Sequence, residues 1–186
     1  MTRDIMKKIA IPIIAAAIII ISVAVYFINR EKDAVAPDVS QLTVAASFYP
    51  YYFLSSYIGG ENVTVANITP PGTEPHDYEP TAGDIALMEN SRLIIFNGLV
   101  EPWIDKIKQN IDPDKTLIIT PGAHLLTQYI TEEGENMTDP HIWLSPRLTE
   151  QISDEIAKTF IQLDPQHTSE YTTNLQSLKF ALQELD

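Results

Sequence analysis

Short apolar runs that alternate with helix-like stretches are the feature that most constrains the fold of this chain. Four runs, each apolar and rich in β-branched residues, predict strands: 42–48, 63–68, 93–96 and 116–120. Helices are predicted between and after them, at 50–58, 81–90, 101–110 and 146–163, with a last one from 164 onward that still runs at Asp186. Short apolar strands that alternate with helices form parallel sheets covered on both faces. The pattern therefore predicts an α/β, three-layer lobe with a mostly parallel sheet of about four strands.

A long apolar segment precedes this pattern. Arg3, Lys7 and Lys8 stand before residues 9–28, which carry no charge. As a helix this run would be about 30 Å long, close to the hydrocarbon thickness of a bilayer. An uncleaved membrane anchor is favoured over a cleaved signal peptide, since the small-residue triplet at 34–36 is followed by proline and lies behind a charged patch. Either alternative predicts export, to the periplasm or the cell surface.

The chain divides into four predicted regions. They are a membrane anchor or signal segment at 1–32, a tether at 33–40, an α/β lobe at 41–163 and a final helix at 164–186. The final helix has an apolar stripe but no closing glycine and no later element to pack against. The stripe consists of Leu175, Leu178, Leu182 and Leu185. Such a helix either docks on its own domain or belongs to a chain that has been cut short, and the second alternative is favoured.

Composition limits the chemistry that is available. The chain has no cysteine, which excludes disulfides and thiolate ligands, so any metal site must use histidine, carboxylate or other oxygen donors. The formal net charge of −13 disfavours nucleic acid as a partner. An ordinary solubilising surface and weak attraction of cations are both compatible with that charge.

Two loops each hold a histidine among prolines. His76 lies in a loop at 69–80, and His141 follows a polar loop predicted at 121–140. Prolines stiffen the backbone, so a histidine presented there loses little entropy on binding. If both loops follow strands of one parallel sheet, both emerge at its carboxyl edge, where such folds bind ligands. The pattern predicts that His76 and His141 bind a divalent metal ion, although each alone is also explained as an exposed or capping residue.

The other two histidines carry no comparable pattern. His124 lies in the polar loop and His167 in the first turn of the final helix, and both are predicted to be surface residues. Two imidazoles do not complete a zinc site, which takes about four ligands, nor a manganese site. The sequence therefore predicts a metal site for which further ligands are needed.

Several motifs resemble the N-terminal lobe of the zinc- and manganese-binding receptors of ABC importers. They lie at 45–50, 58–60, 71–80, 97–99, 101–103 and 139–146. Asp164-Pro165, with Tyr171 and Asn174, resembles the start of the helix that joins the two lobes of such receptors. The resemblance covers about residues 42–186.

The resemblance implies a mechanism of capture rather than catalysis. In such receptors the metal, Zn²⁺ or Mn²⁺, lies between two α/β lobes; the first supplies two histidines, which correspond to His76 and His141. The second lobe supplies another His or a Glu and an Asp, so the resemblance implies a chain truncated at the interdomain helix and a membrane permease as partner. Glu74 stands where the family usually has Asp, and the counterpart of a His-rich loop, at 127–138, has no histidine. The absence of histidine from that loop weakens the prediction of zinc as the bound metal but does not establish manganese.

Two other functions remain as alternatives. A surface adhesion or interaction domain on the same lobe would bind its partner without the two histidines. A metal-dependent hydrolase would need an open coordination position and a general base, and the sequence has no His-Glu-x-x-His motif. We therefore expect a substrate-binding protein, not an enzyme, with zinc favoured.

Overall fold

The computed structural model describes residues 41–114, 116–125, 127–130 and 136–185. The predicted anchor at 9–28 and the tether at 33–40 lie outside the described residues. Within the described ranges, no helix is both long and apolar enough to cross a membrane.

The central sheet has four parallel strands. They are β1 (Leu42–Ala46), β2 (Val63–Asn67), β3 (Leu93–Ile95) and β4 (Leu117–Ile119), in the order β2-β1-β3-β4. In the register, Ala45 of β1 lies opposite Ala66 of β2 and Ile94 of β3. The predicted parallel sheet of about four strands is confirmed. The strand order reverses between β1 and β3, which makes their carboxyl ends the switch point of the sheet.

Within the described residues, five α-helices accompany the sheet. They are α1 (Tyr49–Gly59), α2 (Ala82–Glu89), α3 (Ile104–Lys108), α4 (Pro146–Leu163) and α5 (Thr168–Gln183). α3 is shorter than the predicted 101–110, because Glu101 turns back to accept backbone hydrogen bonds from Asn97 and Gly98 instead of entering the helix. A 3₁₀ turn at Pro165–His167 precedes α5, which ends at Gln183 rather than running through Asp186.

Side chains alternate between the two faces of the sheet and create two cores. Val44 and Leu93 point to the side covered by α1, α4 and α5, where Phe160 and Tyr171 are fully buried. Ile94 points to the opposite side, which α2 and α3 cover. This alternation follows from the twofold period of a strand. The predicted three layers are confirmed.

A β-hairpin replaces part of the polar loop predicted at 121–140. β5 (Thr127–Ile130) pairs antiparallel with β6 (Asn136–Asp139), in a sheet separate from the first. The loop prediction was wrong for these eight residues. β5 contains three residues of types that favour strands, Thr127, Tyr129 and Ile130, whereas β6 contains only Thr138, so no strand pattern marked the pair in the sequence. The acidic residues at 132, 133 and 135 lie outside the described residues.

The final helix docks on its own lobe. Leu178 is buried against α1 and α4, and Leu175 and Leu182 pack beside it, whereas 75% of Leu185 is exposed. Asn174 adds a hydrogen bond of 3.1 Å from Nδ2 to the carbonyl of Ile58. Three of the four positions of the stripe therefore pack on the lobe itself, which is one of the two alternatives that the sequence left open.

Candidate metal-binding site

His76 and His141 meet at the carboxyl edge of the sheet. Their ring centroids are 6.0 Å apart and the ring planes are inclined by 62°. Both side chains face a cleft of about 390 Å³, whose walls include Phe48, Thr69 and Val100. The structure thus brings together the two histidines that the sequence singled out, although they are distant along the chain.

The loop that carries His76 is anchored at its start to β1. Beyond the end of β2, the backbone N–H and the hydroxyl of Thr69 both donate to the carbonyl oxygen of Ser47, at 2.9 and 2.7 Å. The loop then passes through turns closed by Thr73 N–H to the Pro70 carbonyl and Asp77 N–H to the Glu74 carbonyl. These bonds hold His76 on a backbone that is already folded before any ligand arrives.

The same loop is anchored at its far end to the first turn of α2. Asp84 accepts hydrogen bonds from the Tyr78 hydroxyl at 2.6 Å and from the Thr81 backbone N–H at 2.8 Å. Thr81 caps the helix in return, which completes a reciprocal capping box. Burial works against ionisation of Asp84, but the bonds from Thr81 and Tyr78 hold its pKa below the ordinary value.

His141 reaches the cleft by a different route from the one predicted. It follows β6 of the antiparallel hairpin rather than a strand of the parallel sheet, so the argument that placed it at the carboxyl edge was wrong in that step. His141 nevertheless lies at this edge of the sheet. Nδ2 of Asn97, just after β3, donates a hydrogen bond to the carbonyl oxygen of Pro140, the residue before His141.

Asp139 fixes the protonation of the His141 ring. Its Oδ1 lies 2.8 Å from His141 Nδ1 and 2.9 Å from the His141 backbone nitrogen. An ionised carboxylate only accepts, so in the neutral ring Nδ1 carries the proton and Nε2 keeps the lone pair that a metal ion needs. Hydrogen bonds from the His141 backbone N–H and then from its ring lower the pKa of Asp139 below its ordinary value. Sequence reasoning cited Asp139 only as part of a motif and assigned it no role.

Aromatic rings form the wall behind His141. The ring centroid of Trp143 lies 5.3 Å from that of His141 and 4.9 Å from that of Phe48, with Phe48 and Trp143 in an edge-to-face arrangement. Phe48 is buried and follows β1, so the wall is continuous with the sheet. An apolar wall beside an imidazole keeps water from one side of the ring and restricts its rotation.

The other two histidines lie elsewhere. His124 is exposed, as predicted, and its Nδ1 lies 3.2 Å from a carboxylate oxygen of Glu155. His167 is only 26% exposed, because its Nδ1 lies 2.6 Å from the buried carboxylate of Asp164. The predicted surface position of His167 therefore holds only in part, because the contact with Asp164 covers much of the ring. Within the described part of the chain, no group of three or more His, Asp or Glu side chains is placed to hold a metal ion.

The lobe is similar to solved structures of metal-binding receptors. The metal-dependent lipoprotein YcdH of Bacillus subtilis aligns with a TM-score of 0.70 and 28% identity, over 78% of this chain and 53% of that one. The Zn(II)-bound ZnuA-like domain of Streptococcus pneumoniae AdcA aligns with a TM-score of 0.68 and 27% identity, over 78% and 53% of the two chains. The class is thus that of metal-binding receptor lobes.

The family follows from the sequence comparison. The family "ZnuA: Zinc-uptake complex component A periplasmic" matches residues 44–186, and this chain belongs to it. The iron-binding protein YfeA of Yersinia pestis is 29% identical over 90% of this chain and 52% of its own length. The manganese-binding lipoprotein MntA of Halalkalibacterium halodurans is 26% identical over 97% of this chain and 58% of its own. The chain spans about half the length of the curated relatives it matches, and the resemblance found in the sequence is confirmed.

Proposed function

We propose that this chain forms the first lobe of an extracytoplasmic receptor that captures a divalent metal ion for an ABC importer. His76 and His141 are the ligands that this lobe contributes. The observation that carries the proposal is the pair of imidazoles, 6.0 Å apart, one of which has its Nε2 freed by the bond from Nδ1 to Asp139. A carboxylate behind a histidine is a common outer-shell partner of a metal ligand.

Zinc is the favoured cargo. Neutral imidazole suits Zn²⁺, and N-donor sites bind Mn²⁺ more weakly than Zn²⁺. The names of the relatives include iron, zinc and manganese, so family membership alone supports several ions. Manganese selectivity would have to come from oxygen ligands added to these two nitrogens.

A second lobe would complete the site. Zinc takes about four ligands, so two imidazoles leave positions for other donors, and in this proposal α5 belongs to the helix that joins the two lobes. In this proposal the segment at 1–32 holds the receptor at the outer face of the membrane, where a permease accepts the ion. The family description, a periplasmic component of zinc uptake, supports that location.

Capture, rather than catalysis, fits the chemistry of the cleft. A hydrolytic metal site needs a general base beside an open coordination position. Asp139, the carboxylate bonded to the His141 ring, already accepts two hydrogen bonds from His141 and orients that residue. The adhesion alternative would not require this arrangement. The proposed role is therefore that of a binding protein.

Zn²⁺ titration of the full chain tests the proposal. We expect one ion per chain, with affinity lowered at least about tenfold in His76→Ala and in His141→Ala, which corresponds to about 1.4 kcal/mol of binding free energy. His124→Ala is the matched control, because that histidine is exposed and lies outside the cleft lining. Equal Zn²⁺ affinity in the wild type and both cleft variants would contradict the proposal.

A further inference from the structure

The Pro140–His141 peptide group is held at both ends. The carbonyl oxygen of Pro140 accepts a hydrogen bond of 3.0 Å from Nδ2 of Asn97, and the N–H of His141 donates to Asp139 at 2.9 Å. A peptide group is planar, so fixing its two polar ends fixes its orientation. The backbone from which the His141 ring projects therefore has little freedom to rotate.

Asn97 is suited to hold this group because it is buried and fully bonded. Only 1% of the residue is exposed. Its two amide hydrogens are directed at Pro140 and at the Tyr51 hydroxyl, at 3.0 and 3.3 Å, while its Oδ1 accepts from the Leu99 N–H at 3.3 Å. With both hydrogens and the oxygen engaged, the amide has one defined orientation.

Glu101 in turn fixes the backbone of Asn97. One carboxylate oxygen accepts from the Asn97 N–H at 2.9 Å and from the Ser47 hydroxyl, and the other accepts from the Gly98 N–H at 3.0 Å. The φ of +101° at Gly98 lets two successive N–H groups converge on one anion, a conformation that favours glycine. Because Glu101 is only 2% exposed, this anchor lies inside the lobe and links the ends of β1 and β3.

We infer that Asn97 is a positioning residue for His141, and that buried Glu101 holds it in place. The inference rests on the proposed function, in which His141 is a metal ligand. Asn97 does not border the cleft itself, so it acts through the backbone of Pro140 rather than by touching the ion. The bond from Asn97 to Pro140 also explains why His141, which follows a hairpin outside the main sheet, lies at the edge of that sheet.

Two measurements on the full chain test the inference. Without metal, the ring nitrogen resonances of His141 are followed by NMR in the wild type and in Asn97→Ala. With Zn²⁺ alone as the probe, affinity is measured by titration. We expect Asn97→Ala to shift the His141 resonances but not those of His124, and to weaken Zn²⁺ binding by about 10-fold or more, as for other outer-shell partners.

Asn110→Ala is the matched control. Nδ2 of Asn110 also donates to a carbonyl oxygen, that of Lys106 at 3.2 Å, but Asn110 is exposed at the end of α3, outside the cleft lining. It should leave the His141 resonances and the affinity unchanged. If Asn97→Ala does not fold, Glu101→Gln carries the same test, since it removes one acceptor from the anchor and should change both readouts in the same direction.

The outcomes separate the two ideas. Unmoved His141 resonances in a folded Asn97→Ala overturn the inference whatever the affinity, as does a Zn²⁺ affinity within about twofold of the wild type. If His76→Ala and His141→Ala bind Zn²⁺ normally, the proposed function fails. His141 is then not a metal ligand, and Asn97 cannot be a residue that positions one. In that case the metal-free resonances still report whether Asn97 orients the ring.

Discussion

Oδ1 of Asp139 accepts both the backbone N–H and the ring Nδ1–H of His141, at 2.9 and 2.8 Å. One carboxylate oxygen thus sets the backbone and the tautomer of the same residue. Asp139 is half-exposed, so the pair adds little to the stability of the lobe. Its effect is to favour the neutral tautomer in which Nε2 has no proton and is directed away from the carboxylate.

Replacing Asp139 with asparagine should weaken metal binding without unfolding the protein. The amide can turn its NH₂ toward Nδ1, which favours the tautomer with a protonated Nε2 that cannot bind a metal ion. We expect Zn²⁺ affinity to fall about 10-fold, measured by titration, with an unchanged melting temperature. Asp105→Asn, at a carboxylate that is 87% exposed, is the control. Undiminished affinity in Asp139→Asn would exclude the orienting role.

The bond between Tyr78 and Asp84 should be visible in the titration of Tyr78. Burial, followed by the hydrogen bond to Asp84 and the charge of Asp84, raises the pKa of Tyr78 to about 12. In Asp84→Asn the charge is removed, so the phenol pKa should move part of the way back toward 10, and NMR of the tyrosine rings measures it. Asp77→Asn removes a carboxylate from the same loop and should leave the Tyr78 titration in place. An equal fall of the Tyr78 pKa in both variants would show that the effect is not specific to this bond.

Two helical glycines should respond in opposite ways to alanine. A Cβ at Gly59 would lie 2.4 Å from Cβ of Val63, a collision with the start of β2, whereas at Gly83 the nearest atom, Oγ1 of Thr81, is 3.5 Å away. Gly59→Ala should therefore cost about 1–3 kcal/mol of unfolding free energy. Gly83→Ala should gain up to about 1 kcal/mol through helix propensity. Urea denaturation measures both, and a neutral Gly59→Ala would mean that the contact relaxes freely.

Much of the fold could be predicted because its signals are local. The four strands of the central sheet correspond to apolar runs in the sequence. The helix at Pro146–Leu163 begins and ends where the sequence predicts. The hairpin could not be predicted in the same way, since its strands are stabilised by backbone pairing in register rather than by an apolar pattern. Helix α3 was predicted too long because the tertiary bonds of Glu101 override its helix propensity.

The site was predicted only in part, for a similar reason. His76 and His141 stand out through their proline-rich loops, but their separation depends on contacts between distant segments. The bond from Asn97 to Pro140 joins residues that no periodicity relates. Likewise, the pairing of His167 with Asp164 depends on the turn before α5, and the sequence alone does not indicate it. Side chains that act through a second residue leave no pattern in a single sequence.

The joint between α4 and α5 should make the lobe sensitive to acid. The Tyr171 hydroxyl donates to the buried carboxylate of Asp164 at 2.5 Å, and His167 Nδ1 lies 2.6 Å from the same oxygen. Burial opposes ionisation of Asp164, but the bonds from Tyr171 and His167 hold its pKa below the ordinary value. Because the folded pKa is depressed, this stabilisation is present above the unfolded value of about 3.9 and is lost as the pH falls through the folded pKa.

Tyr171→Phe tests that joint. At pH about 7 the variant should lose about 1.5–3 kcal/mol of unfolding free energy, the usual cost of a hydrogen bond to a charged group. The gap between wild type and variant should narrow at about pH 3, below the unfolded value of about 3.9, as the pH falls toward the folded pKa of Asp164. Urea denaturation at the two pH values measures it, with Tyr57→Phe, at an exposed ring, as the control. A gap of equal size at both pH values would mean that the Tyr171 hydroxyl stabilises the lobe independently of the charge of Asp164.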